Sequence, residues 1–195
     1  MSFFADRPGS DLPEPEPDEL VEREWFGPPL GVLPGLSLQR ATPFRTADAT
    51  LLIHRFEVFP TGVAFSADVY VRRGGVVGIP LMVHGPRYRE GDQFTDDLIR
   101  FGLQMSDGSS CSNIDRPPID MIESPDQPPV PPVISCNGGS SGGSRITATY
   151  WWWLLPPEGT VTFFAAWPAY GIPESSATID ATELRATAMR ADRLW

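Results

Sequence analysis

The chain has 195 residues, 41% apolar and 21% charged, with a formal net charge of −10; that length makes one domain the expectation and suffices to bury a core without disulfide or metal staples. Every basic residue but the two histidines is an arginine, and the acidic balance disfavours nucleic acid and anionic membranes as partners, because both are bound largely through clustered cations. The 22 prolines and 18 glycines exceed average usage and favour short strands joined by many turns over long helices.

In chain order, Met1 to Pro8 shows neither a basic start nor an apolar run of leader length, and about eighteen consecutive apolar residues occur nowhere, so a cytoplasmic location is expected. Residues 1–24 read as a disordered acidic tail: between Asp11 and Glu24 prolines alternate with carboxylates, a composition that cannot bury enough apolar surface to offset its ordering entropy. The single domain, 25–195, opens at Trp25-Phe26-Gly27-Pro28-Pro29, where two aromatics can anchor an extended segment.

The strongest signal is a β-hairpin, Leu51 to Phe59 and Val63 to Val71, about the turn Pro60-Thr61-Gly62. Its period of two sets Leu52, His54, Phe56 and Val58 on one face of the first arm, and Val63, Phe65, Ala67, Val69 and Val71 on one face of the second. The glycine-containing turn suits a three-residue loop with a bulge. Val76 to Val83 is a weaker strand, Leu98 to Met105 a firm one, and Ser106-Asp107-Gly108 turns the chain back through Ser109 to Ser112.

From Asn113 to Ser144 clustered prolines give way to Gly138-Gly-Ser-Ser-Gly-Gly143, which reads as a long flexible loop. Arg145 to Leu155 and Thr160 to Trp167 are then expected to pair as a hairpin across Pro156-Pro-Glu-Gly159. A short strand at Ser176 to Ile179 leads to Asp180, which with Glu183 forms a capping box for a helix of about fourteen residues. Ala181, Leu184, Ala188, Ala191 and Trp195 share its apolar face, so Trp195 should be a packing anchor whose deletion with Leu194 lowers Tm by several degrees.

These elements predict an all-β, mainly antiparallel fold: an immunoglobulin-like β-sandwich of roughly six to nine strands with one short C-terminal α-helix. No cofactor is expected. Gly138-Gly-Ser140-Ser-Gly142 matches the pattern of a hydrolase nucleophile elbow, but it lies in linker-like text without a strand-to-helix turn, and its glycines lack the Lys-Ser/Thr ending of a phosphate loop. His54, His84, Cys111 and Cys136 show no close ligand pair, so no metal site is expected; the two thiols are expected free in a reducing compartment. His54 lies on an apolar strand face and reads as a hydrogen-bonded core imidazole. Asp96, Asp97, Asp115, Asp120 and Glu123 could in principle face one another across a sugar, although scattered loop acids are ordinarily solvated.

Tyr150-Trp151-Trp152-Trp153 places a large aromatic on both faces of one strand. One face is core; the other is either covered by the helix or the Trp25 segment, which the need of both to pack favours, or is an exposed binding patch. The functional expectation is a non-catalytic protein-interaction module with a protein partner or a second copy of itself. The alternatives are an enzyme with a loop-carboxylate site and a small-molecule or carbohydrate binder stacking on the tryptophans.

Trp25 with Pro28-Pro29, Phe59-Pro-Thr-Gly-Val-Ala-Phe65, Leu98-Ile-Arg-Phe-Gly-Leu-Gln-Met-Ser-Asp-Gly108, Leu155-Pro-Pro-Glu-Gly159, Trp167-Pro-Ala-Tyr-Gly-Ile-Pro-Glu174 and the closing Leu194-Trp195 together resemble a widespread family of uncharacterised actinobacterial proteins. The resemblance implies the same fold and a bacterial cytosol, and it carries over neither an activity nor any catalytic residue.

Overall fold

The computed structural model describes residues 23–72, 95–115 and 127–195. In chain order its strands are β1 (Val32–Leu33), β2 (Gly35–Ser37), β3 (Ala41–Arg45), β4 (Ala49–Phe59), β5 (Gly62–Val71), β6 (Arg100–Gln104), β7 (Ser110–Ser112), β8 (Val133–Gly142), β9 (Arg145–Trp153), β10 (Thr160–Trp167), β11 (Ile172–Asp180) and β12 (Asp192–Arg193). A 3-10 turn, Pro168–Tyr170, precedes β11, and one helix, α1 (Ala181–Ala188), follows it. Every pairing is antiparallel. Among the described residues the chain forms the expected all-β antiparallel fold with one short helix.

The strands make three sheets: six strands in the order β2-β4-β5-β9-β8 with β3 also on β4, four in the order β11-β10-β6-β7, and the pair β1-β12. The two larger sheets share one core, in which Phe65 of β5 meets Phe101 of β6 and Phe163 of β10 at centroid distances of 6.1 and 5.8 Å. Aromatic contacts of this geometry add to the stabilisation from area burial alone. A polar link crosses the same interior: Asn113 accepts from Phe101 N and donates to Ile99 O, and it also hydrogen-bonds Tyr150, whose ionisation burial opposes strongly.

The hairpin of β4 and β5 lies where the periodicity set it, with one correction to the facing. In β5 Val63, Phe65, Ala67, Val69 and Val71 are all buried, as expected. In β4 the residues buried in the main core are Ala49, Leu51, Ile53, Phe56 and Val58. The register shifts between His54 and Glu57, so Arg55 and Phe56 together oppose Phe65. That extra residue is a β-bulge, which flips the parity of everything beyond it. Leu52 and His54 therefore point outward. The turn is also tighter than expected, Phe59 facing Gly62 across Pro60-Thr61. Gly62 belongs to the strand because a Cβ there would lie 2.5 Å from Trp152 O and 2.7 Å from the Trp151 ring.

Three further expectations need correction. The Gly/Ser-rich text after Val133 is not a flexible loop: it is β8, paired with β9 along its length and turned by Gly143-Ser144, with Gly143 at φ 57°. A cross-strand partner supplies the ladder that composition alone could not signal. Residues 116–126 of that stretch, and the Val76 to Val83 strand, lie outside the described residues. Secondly, β9 and β10 are not a hairpin; β9 sits between β5 and β8, and β10 between β11 and β6. The Pro156-Pro-Glu-Gly159 segment is thus a crossover between sheets, held by Arg185 Nη1 on Pro156 O and Ser106 Oγ on Glu158 O.

The third correction is the C-terminus. Asp180 does cap α1, accepting from Thr182 N, but Glu183 is taken by Ser37 Oγ at 3.0 Å instead of closing a capping box. The helix ends at Ala188 because Asp192 and Arg193 pair with β1. Its buried face is Ala181, Leu184, Thr187 and Ala188, close enough to β2 that a Cβ on Gly35 would sit 2.1 Å from Thr187 O. Trp195 is no packing anchor: it is 88% exposed, its ring lying against Gly31.

Candidate functional site

Alternation fixes what the outer face of the six-stranded sheet carries. Each apolar residue of β5 and β9 that enters the core sets its neighbours outward, and along β5 these are Ala64, Ser66, Asp68 and Tyr70, opposite Trp151, Thr149, Thr147 and Arg145 of β9. The face divides into an apolar end and a polar end.

The apolar end is covered. Phe59, Val133, Trp151 and Trp153 form a second cluster against which Trp25, Val32 and Ala64 pack. Trp25 meets Trp153 edge-on at 5.9 Å, Phe59 meets Trp151 at 5.7 Å, and Trp151 Nε1 donates to Glu24 O at 2.8 Å. Tyr150 and Trp152 lie in the main core. All four aromatics of the run are buried, so none offers an open stacking surface, and the cover is the Trp25 segment.

The polar end is organised around Asp68, whose side chain has no exposed surface. Its Oδ2 accepts from Arg145 Nη2 at 2.7 Å and from Tyr70 OH at 3.3 Å, and it lies 2.9 Å from His54 Nε2. Burial pushes the Asp68 pKa up, but Thr147, His54, Arg145 and the Arg145 charge together outweigh it and leave the carboxyl below the usual range. Oδ1 has no partner in ordinary hydrogen-bond geometry among the described residues. The Arg145 guanidinium also lies over the Tyr70 ring, 5.5 Å from its centroid, and is held charged by Asp68. Asp68 and Arg145 stand 77 residues apart in the chain; the β5–β9 register alone brings them together.

Beside this cluster is an open depression of about 400 Å³ lined by Arg55, Ser140, Gly142, Arg145 and Thr147. Arg55, the bulge residue, has φ 56°, a left-handed conformation that costs a residue other than glycine about 1–2 kcal/mol. Its side chain makes no hydrogen bond or ion pair among the described residues. Ser140 and Gly142 belong to β8, which has β9 as its sole ladder partner among the described residues. From Gly138 to Gly142 this edge is largely exposed and carries neither charge nor proline.

The other residues singled out in the sequence do not converge. Ser140 lies in a strand opposite Thr147, not on a strand-to-helix turn, and among the described residues no hydrogen bond joins it to a histidine. Asp96 and Asp97 are exposed, Asp96 reaching Arg100 at 3.9 Å, and Asp115 caps Ser112 N. His84, Asp120 and Glu123 lie outside the described residues. Both cysteines are free; burial, aided by Asp115, pushes the Cys111 thiol up to about 12, and burial raises Cys136 as well. Among the described residues no three His, Cys, Asp or Glu side chains group as metal ligands, and no helix is long and apolar enough to cross a membrane. A second, larger depression of about 900 Å³ overlies β6 and β10, with Phe164, Ala166, Ile114 and the buried Cys111 among its lining.

The polar cluster was half visible beforehand. His54 reads as a hydrogen-bonded core imidazole; it is hydrogen-bonded, but the bulge leaves it on the outer face beside Asp68 and not in the core. The alternation Ser66-Ala-Asp68-Val-Tyr70 marks a polar outer face, but its pairing with Arg145 has no local signature. No family model, curated protein or solved structure matches the chain.

Proposed function

We propose that the protein is a non-catalytic interaction module of the bacterial cytosol that receives an extended segment of a protein partner as an added strand on β8. The observation that carries this reading is the edge itself. Exposed strand edges are ordinarily blunted by lysine, proline, inward charges or a covering element, whereas Gly138 to Gly142 has none of these among the described residues. Small side chains there leave the backbone donors and acceptors accessible, which strand addition requires.

The absence of catalytic activation supports the same side. The His54 Nε2 faces a carboxylate already shared with Arg145 and Tyr70, no hydroxyl is bonded to the imidazole among the described residues, and both thiols are held protonated. An activated nucleophile needs the opposite arrangement. The stacking-platform alternative loses its basis with the burial of Tyr150, Trp151, Trp152 and Trp153.

Panning a random-peptide phage library on the full chain tests the proposal. Amides of successive edge residues point alternately inward and outward, so of Ser140→Pro and Ser141→Pro one loses a ladder bond to β9 while the other loses only an outward amide; the variant with an unchanged melting curve is the blocked edge. Peptides of alternating character should be enriched on the natural chain and lost on the blocked one. No enrichment, or equal enrichment on both, overturns the reading, and a dimer in sedimentation that dissolves in the blocked variant assigns a second copy as the occupant.

A further inference from the structure

The depression beside β8 has a chemistry of its own. Two arginines border it and one carboxylate, Asp68, lies beneath, so a single positive charge is left uncompensated. Arg145 uses Nη2 on Asp68 and is 45% exposed, which leaves further donors of its planar fork available. Arg55 uses none of its side-chain donors among the described residues. It is nonetheless held in a left-handed backbone at the bulge, and backbone outliers that surrounding structure maintains cluster where a side chain must be aimed. The hydroxyls of Ser140 and Thr147 complete the rim.

We infer that this depression binds one carboxylate, carried by an acidic side chain of the segment that adds to β8. Paired guanidinium forks match the two oxygens of a carboxylate, and the one uncompensated positive charge matches a monoanion better than a phosphate dianion. An added strand would run about 4.8 Å beyond β8, and its outward side chains opposite Ser140 and Gly142 reach back over the rim. The inference rests on the interaction-module reading for the carrier of the carboxylate, and not for the pocket.

The test is an NMR titration of the full chain with sodium acetate and, separately, sodium phosphate, each at constant ionic strength. Acetate should give saturable shifts confined to Ser140, Gly142, Thr147 and the Nε–H of Arg55 and Arg145. Binding should weaken about tenfold in Arg55→Gly, the loss of one charge-assisted hydrogen bond, and be largely kept in Arg55→Lys. Glycine tolerates the bulge conformation, so the first variant folds with core resonances unmoved, and the second controls for charge. Shifts that do not saturate, that scatter over the surface, or that are equal in Arg55→Gly overturn the pocket; phosphate binding tighter than acetate overturns the monoanion assignment. If acetate binds and no peptide is selected, the pocket stands and strand addition fails; selected peptides that lack an Asp or Glu, or bind Arg55→Gly equally, sink the assignment of the carboxylate to the added segment.

Discussion

Replacing Asp68 by Asn separates charge from shape at the centre of the polar cluster. The carboxylate accepts from Arg145 and Tyr70 and faces His54 Nε2 within 2.9 Å, while its own side chain is fully covered. Hydrogen bonds to a charged group contribute about 1.5–3 kcal/mol and a neutral one about 1 kcal/mol, which gives a gross stabilisation of about 5 kcal/mol. Desolvating the carboxylate costs several kcal/mol, and because Arg145 is nearly half exposed its attraction is screened. The net loss in Asp68→Asn at pH 7 is therefore about 1–2 kcal/mol. Its pH dependence follows from the depressed folded pKa. Stability from Asp68 is fully present above the unfolded value, about 3.9, and is lost as pH falls through the lower folded value. Asparagine has no such term. Urea unfolding of both chains should show a gap at pH 7 that narrows below about pH 4. A variant as stable as the natural chain at pH 7, or a gap that widens on acidification, refutes the reasoning.

Arg55→Gly should raise stability by about 1 kcal/mol by relieving the left-handed strain, read as a higher urea midpoint; a lower midpoint would mean that Arg55 stabilises the bulge. Trp25→Ala should cost about 1–2 kcal/mol and make tryptophan emission more accessible to acrylamide, since it uncovers Trp151 and Trp153; unchanged quenching would show that the cover lies elsewhere. Deleting Leu194 and Trp195 should move stability by no more than about 0.5 kcal/mol, because exposed side chains contribute little, and a fall of several degrees in Tm would restore the docking that the sequence suggested. At pH 8 Cys111 should resist alkylation in the native chain and react once unfolded, its pKa being pushed up to about 12; native labelling at the rate of a free thiol would contradict its burial.

The legible parts of the fold were those specified by adjacent residues. Val63, Phe65, Ala67, Val69 and Val71 alternate without interruption, and their strand lies as read. The opposite arm changes parity at Arg55, where the bulge depends on pairing with Phe65, and nothing in Leu51 to Phe59 marks it. Strand β8 was missed because glycine and serine lack the side chains that give β-propensity; its ladder comes from β9, whose Ile146, Ala148, Tyr150 and Trp152 are anchored in the core. Pro156-Pro-Glu-Gly159 has turn composition, but turn composition does not say which sheet the next strand joins. The helix was read too long because Asp192 and Arg193 are claimed by Val32 and Leu33, some 160 residues earlier in the chain, a distance pairing of the kind local propensity cannot weigh.

That division also explains the site. A half-buried sheet must alternate, so Asp68 and Arg145 are the outward complements of Val69 and Ile146, and the core that fixes the apolar register fixes the polar one with it. A one-residue slip of β9 against β5 would turn Arg145 and Thr147 into the aromatic core and expose Trp152. The register is therefore enforced by burial on the inner face and read out as charge placement on the outer. The Trp25 segment covers one end of that outer face, where the sequence supplies tryptophan, and leaves uncovered among the described residues the end where it supplies two arginines and an uncharged edge. The placement of the arginine depression beside the accessible edge is thus a consequence of how β9 is paired on both sides, which is why ligand binding at Arg55 and strand addition at β8 are expected to succeed or fail as separable properties of one sheet.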